Sequence, residues 1–158
     1  MPKIVLETII DFDDILVVFN LIRSIDLHKI STGSTNEEAI AGKTSGLISL
    51  GETVTWRAKH LGVIQELTSK VTEFNSPYFF VDEMVKGAFK SFRHEHHLSK
   101  IEDKIIVKDV FDYVSPYSVL GKLVDFLFLK NYMQKFLLKR NKIIKEYAEN
   151  GKWEEILI

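Results

Sequence analysis

An alternation of apolar and polar residues at every second position recurs along this chain, and that period limits its fold more than any other feature. In the run from Gly51 to His60, Val54, Trp56, Ala58 and His60 fall on one side. Thr55, Arg57 and Lys59 fall on the other. A period of two is that of a half-buried antiparallel strand. The pattern predicts strands over Thr53 to Leu61, Gln65 to Phe74, Tyr78 to Val85, Ala88 to Leu98 and Ile105 to Tyr113. A turn near Gly62 and another at Asn75-Ser76-Pro77 separate them, and Gly87 marks a bulge or break. Strands so close in sequence form an antiparallel meander.

Ahead of the meander, Lys3 to Ile10 predicts a first strand. Asp11 suits a helix N-cap, with Asp13 and Asp14 in the first turn, where carboxylates favour the helix dipole. Ile15, Val18, Phe19 and Ile22 give that helix one apolar stripe, and a second short helix is expected from Ser24 to Ile30. Ser31 to Gly42 is polar without a clear period, although Glu38 to Ala41 could begin a strand. Gly42-Lys43-Thr44 resembles the end of a phosphate-binding loop, but the glycine required five positions earlier is Glu37, which excludes it.

Behind the meander, Ser115 as N-cap and Pro116 at the first helical position predict a helix to Glu149, with Gly151 as its stop. At 1.5 Å per residue it would span roughly 50 Å. Val119, Leu123, Phe126, Met133, Leu137, Ile144 and Tyr147 keep one face apolar, interrupted by Lys130 and Arg140. Leu120, Val124, Leu127, Phe128 and Leu129 extend the apolar surface around the first half, which must therefore be covered on more than one side. The expected fold is α+β: a curved antiparallel sheet wrapped around a long C-terminal helix, with two short helices after the first strand. Its first half should lie in the sheet's concavity and its second half more exposed. Residues 1–149 form one domain on this reading. The apolar tail within 150–158, from Trp153 to Ile158, covers either that domain or a partner subunit.

Composition narrows the function classes. A net charge of −1 over 158 residues supplies no field to attract nucleic acid. No cysteine is present, which removes disulfides and thiolate metal sites and suits a reducing compartment. Pro2-Lys3 leads into a strand rather than an apolar leader segment. The most apolar window, Val119 to Leu129, is too short for a bilayer and carries Lys122 and Asp125. A cytoplasmic protein is the expectation.

The run Gly46-Leu47-Ile48-Ser49-Leu50-Gly51-Glu52-Thr53-Val54-Thr55-Trp56-Arg57-Ala58-Lys59-His60-Leu61-Gly62 resembles a motif of bacterial proteins in the SRPBCC superfamily. That superfamily groups START-related lipid-binding domains, polyketide cyclases and pollen-allergen-like proteins. Phe80 to Met84, Gly87 to His96, Asp109 to Tyr113, Ser115-Pro116, Leu120-Gly121 and Arg140-Asn141 are similar to its bacterial members as well. The resemblance covers about Glu7 to Ala148. It implies the helix-grip fold, in which the sheet closes over the long helix and leaves a cavity. Its functional implication is coarser: a binding or carrier protein for an apolar small molecule (a lipid, isoprenoid or polyketide-like ring), or a cyclase or dehydratase acting on a cyclic or aromatic intermediate. No cofactor is implied.

Strand parity supplies candidate site residues. If the apolar-rich faces point inward, Trp56 and His60, then Phe92, His94 and His96, then Asp109, Phe111 and Tyr113 line one cavity. Leu120, Val124 and Phe128 of the helix would complete its wall. Among these, His60, His94, Asp109 and Tyr113 are the candidates for acid–base work, an aspartate orienting an imidazole and a phenol donating. Three imidazoles and a carboxylate are also donors of the zinc or iron type. Mutual hydrogen bonding, or a place at the sheet's solvent edge, is the stronger expectation, so no metal is assigned. Asp82 and Glu83 are neighbours on a strand, so only one of them can face the cavity. Arg57 and Lys59 fall on the solvated face. The basic run Lys130, Lys135, Lys139, Arg140, Lys142 and Lys145 could meet anionic lipid headgroups. A solvated helix face is the stronger expectation.

Overall fold

The computed structural model of the chain describes residues 3–115 and 128–157. Within them the alternating runs become β1 (Lys3–Ile10), β2 (Glu38–Gly42), β3 (Thr53–His60), β4 (Val63–Asn75), β5 (Phe79–Lys86), β6 (Ser91–Ile101) and β7 (Lys104–Val114). All pair antiparallel in one sheet of order β1-β7-β6-β5-β4-β3-β2. From β3 onward each strand pairs with the next through a short turn, so these five strands form the expected meander. The first two strands sit on opposite edges, linked by α1 (Ile15–Ile22) and α2 (Ile25–Ser31).

Two strands of the meander start more than one residue away from where the alternation places them. β4 starts at Val63 rather than Gln65, because His60 pairs with Val63 and Lys59 with Ile64 while both partners stay exposed. Backbone pairing there carries no hydrophobic signature. β6 starts at Ser91 rather than Ala88, leaving residues 87–90 outside the strand. Register shifts in β2 at Ala39/Ala41, and between β4 and β5 at Thr68/Ser69 and Val71/Glu73, bend the sheet. Gly42, beside the first of these, has φ +73° and lies so near the Thr53 carbonyl that a Cβ would collide with it.

The N-cap of α1 is Asp14 and not Asp11: its Oδ1 accepts the N–H groups of Leu16 and Val17 at 3.1 and 3.2 Å. The helix starts too late to place Asp13 and Asp14 in its first turn. Asp11 instead donates its backbone N–H to Glu149 at 2.7 Å, tying the end of β1 to the last turn of the C-terminal helix. Ser24 caps α2, accepting from the Leu27 N–H at 3.1 Å.

The C-terminal helix is described from Lys130 as α3 (Lys130–Glu149), and its expected start at Ser115-Pro116 lies outside the described residues. It packs against β1, α1 and α2 on the sheet's concave side. The half expected to be more exposed buries a full stripe: Leu137, Arg140, Asn141, Ile144 and Ala148. The spacing of three and four residues is that of one helix face. Arg140 therefore leaves the basic run and turns inward. The tail forms α4 (Trp153–Ile156), and Trp153 lies 5.9 Å from Phe12 between ring centroids. Trp153, Ile156 and Leu157 pack, partly buried, against the core of this chain. Among the described residues, no helix is long and apolar enough to cross a membrane.

Two apolar clusters fill the concavity. One gathers Ile10, Val18, Phe19, Val71, Phe80, Leu98, Ile105, Val107 and Ile144. The other gathers Ile4, Leu6, Phe92, Phe111, Tyr113 and Leu137. Phe19 anchors the first, fully buried, with Phe74 and Phe80 each edge-on to it at 5.5 Å. Phe19→Ala is expected to cost about 3–5 kcal/mol of stability, since it removes a large ring from a closed packing. A urea-unfolding midpoint that barely moves would show that this region collapses without it.

Candidate functional site

A belt of polar side chains lies between the two apolar clusters. On β6, Phe92 belongs to one cluster and Leu98 to the other, with His94 and His96 between them. On β7, Asp109 stands between Val107 and Phe111, and on α3, Arg140 and Asn141 stand between Leu137 and Ile144. β5 contributes Asp82 between Phe80 and Met84. Register brings these together: His94 pairs opposite Asp82, and His96 opposite Asp109.

Asp109 is the centre of the belt and is 1% exposed. Its Oδ1 lies 2.9 Å from His94 Nε2, 3.1 Å from His96 Nδ1 and 3.3 Å from Arg140 Nη2. Its Oδ2 accepts from Asn141 Nδ2 at 2.7 Å, and the same amide reaches Thr8 Oγ1 at 3.2 Å. Burial alone would push this carboxyl up. The Arg140 charge, the hydrogen bond from His94 and the nearby His96 ring outweigh burial and hold it well below the usual carboxylate range. Asp82 is also lowered, its burial outweighed chiefly by His96. It is deeply surrounded, yet a quarter of its side chain is accessible because it faces a cavity.

The two imidazoles differ. Burial, reinforced by the charge of His96, pushes His94 down to about 4. His96 suffers the same burial, but Asp109 and Asp82 on its two sides outweigh it and raise its value. The rings lie 3.9 Å apart, with Phe80 stacked on His96 at 4.2 Å and Phe111 edge-on to His94 at 5.3 Å.

The cavity has a volume of about 130 Å³. Trp56, Phe92, His94, His96 and Phe111 line it, as strand parity suggested. Asp109 stands behind the two histidines. Tyr113 does not line it: this ring is buried and packed beside Phe89 and Phe111. His60 does not line it either. At the end of β3 it is drawn to the rim, where Nδ1 meets the Tyr132 hydroxyl at 2.7 Å. Phe128 is 51% exposed and also absent from the wall, because Leu129 and Met133 take the inward stripe at that end of α3. Leu120 and Val124 lie outside the described residues. Asp82, rather than Glu83, is the carboxylate that reaches the cavity, and Arg140 joins it there.

Sequence reasoning missed a second polar group at the opposite wall. Glu37, just before β2, accepts from His28 Nε2 at 2.7 Å and lies 3.8 Å from His60 Nε2. His28 in turn lies face to face with Trp56 at 4.2 Å, tilted by 36°. Nothing periodic surrounds Glu37, so no sequence signal marks it. Burial pushes its carboxyl up, but the charge of His28 and hydrogen bonds from His28, His60 and Thr32 win, lowering it from 4.5 to about 2. A carboxyl lowered on folding stabilises the fold above its unfolded value and loses that contribution as pH falls from about 4.5 towards 2. Glu37→Gln should therefore destabilise the protein by on the order of 3 kcal/mol at neutral pH, and by almost nothing near pH 2. Urea unfolding of both proteins across that range checks it. A gap that does not narrow with acid would mean the carboxylate is unpaired.

No protein-family model and no curated protein sequence matches the chain. Solved structures do match. The crystal structure of TTHA0849 from Thermus thermophilus superposes with a TM-score of 0.76 at 15% identity, covering 93% of this chain and 97% of that one. A START superfamily protein from Mycobacterium smegmatis gives 0.71 at 10% identity, over 94% and 97%. Ginseng major latex-like protein 151 from Panax ginseng gives 0.64 at 17% identity, over 93% and 97%. At such identities the likeness is one of architecture. The chain shares the helix-grip fold of these structures, the fold implied by the sequence resemblance.

Proposed function

We propose that this protein binds a compact, mainly apolar small molecule that carries one polar group. The observation that carries the reading is the cavity's two-part wall. Rings and aliphatic chains from Trp56, Val71, Phe92 and Phe111 form most of it, Asp82, His94, His96 and Arg140 gather on one side, and the polar residues opposite, Glu37 and His28, are already paired with each other. Apolar walls supply affinity without direction, while a few convergent polar groups orient the ligand. The volume of about 130 Å³ suits one or two rings rather than a long acyl chain. Carriage or storage of such a molecule needs nothing further from the chain.

An aromatic alcohol is the matching probe. 2-Naphthol should bind the extracted protein, and Ser69→Phe, which places a ring in the cavity from β4, should weaken binding at least tenfold while the fold is retained by circular dichroism. Native mass spectrometry before solvent extraction should reveal a bound small molecule. An always-empty protein, or equal naphthol binding by the filled variant, would overturn the reading.

One observation favours a second reading, a proton-transfer enzyme of the cyclase or dehydratase type. His94, hydrogen-bonded to Asp109 through Nε2, stands at the cavity wall as a buried neutral base. His94→Gln should then leave naphthol binding within a few-fold and abolish turnover of any cyclic substrate found. Turnover that survives the change removes His94 as the base.

A further inference from the structure

We infer that Asp82, His94 and His96 form a binding site for a first-row divalent cation, zinc above all, on the polar side of the cavity. The inference goes beyond the binding of an apolar molecule and does not rest on it.

The geometry begins behind the site. Asp109 Oδ1 lies 2.9 Å from His94 Nε2 and 3.1 Å from His96 Nδ1, so one carboxylate backs both rings. Arg140 and Asn141 hold that carboxylate in place. A carboxylate behind an imidazole favours the N–H on the near nitrogen and leaves the lone pair on the far one, as at carboxylate–histidine–metal sites. The far nitrogens here are His94 Nδ1 and His96 Nε2. Both face Asp82 Oδ1, at 3.8 and 3.4 Å, and the three ligand atoms lie within 4.8 Å of one another.

Three electron-pair donors converging without a cation or proton between them repel. Two ligands bonded at about 2.1 Å in tetrahedral geometry stand about 3.4 Å apart, close to the 3.4 and 3.8 Å between Asp82 Oδ1 and the two imidazole nitrogens. Small shifts of the Asp82 carboxylate and small rotations of the two rings would bring the three atoms, already within 4.8 Å of one another, to that spacing. His96 Nδ1 is buried and lacks a well-aligned hydrogen bond even though Asp109 is near. Slight rotation of the ring onto a metal at Nε2 would bring that N–H into line. Two histidines and one carboxylate leave coordination positions open, and Asp82, His94 and His96 all line the cavity, so those positions face its interior. A polar group of a bound molecule could occupy one of them. The cation would also occupy the His94 lone pair, so this site and a His94 general base exclude each other.

The full-length protein, stripped with a chelator and titrated with zinc chloride in a calorimeter, tests the inference. One equivalent should bind with a Kd at or below the micromolar range and raise the melting temperature. Cobalt(II) should give the visible absorption of an ordered, low-coordinate ion. Asp82→Asn, which keeps the shape and hydrogen-bonding capacity of the side chain, should weaken zinc at least tenfold, and His94→Ala at least a hundredfold. His97→Ala, on the same strand but paired with Glu95 outside the cavity, should leave it unchanged, and so should His28→Ala at the opposite wall. Failure of the folded protein to bind zinc, unaltered binding by folded Asp82→Asn, or loss in either control variant would overturn it. The first outcome would leave His96 as a protonated bridge between the two aspartates.

Discussion

The buried carboxylate of Asp109 is the constraint around which the interior is arranged. An ionised carboxylate in an apolar core costs several kcal/mol unless charges and hydrogen bonds compensate for lost water. Four groups do so here: Arg140 and Asn141 from the helix, and His94 and His96 from the neighbouring strand. Removing one partner of such a group costs more than the interaction contributes, because the remainder stays buried without compensation. Asp109 therefore pins α3 to the sheet in rotation and in height, something apolar packing leaves loose. The neighbouring clusters supply the driving force for burial, and the belt between them selects one arrangement.

That pinning sets where the cavity lies. β6 and β7 present their polar residues at mid-strand, so the helix can approach closely only where Arg140 and Asn141 meet them. Sheet curvature, from register shifts in β2 and between β4 and β5, moves the far strands away from that contact and towards α2. Trp56 and Val71 then face the histidines across a gap that neither cluster fills. At the far wall, Glu37, His28 and Trp56 form a second polar anchor with its own paired charge. Two anchored walls with apolar floors keep the space open.

Much of this architecture is legible in the residue pattern, and the parts that are not have physical reasons. Period-two alternation marks a strand because one face is dry, so β1 and β3 through β7 stand out. The same parity places His94, His96 and Asp109 inside. It says nothing about how far one strand slides against the next, and the meeting of His94 with Asp82 depends on that register alone. Arg140 carries a usable signal: a cation on the apolar stripe of a buried helix demands a buried anion, and Asp109 is an anion on the apolar face of a strand. Taken singly each is an interruption; taken together they predict a contact 31 residues apart in sequence. Glu37 has no such partner in pattern. His60 and Tyr113 share the right parity yet miss the cavity, because position along the strand, which alternation does not encode, decides who meets the open space.

The polar side of the cavity also governs which molecules it can discriminate. In an apolar pocket an extra methylene changes affinity by about 1–3 kcal/mol, a modest selection among ligands of similar shape. Asp82 behaves differently, since a ligand that seals the cavity without offering a donor or cation strips this carboxylate of water and leaves it under-paired. Unmet demand of that kind costs about 1–3 kcal/mol for a neutral group and more for a charged one. His96 relieves part of it, but its 3.4 Å contact with Asp82 is long for a charge-assisted bond. Complementarity at that one oxygen thus outweighs any single apolar contact in separating partners, and the greasy lining sets only how large they can be.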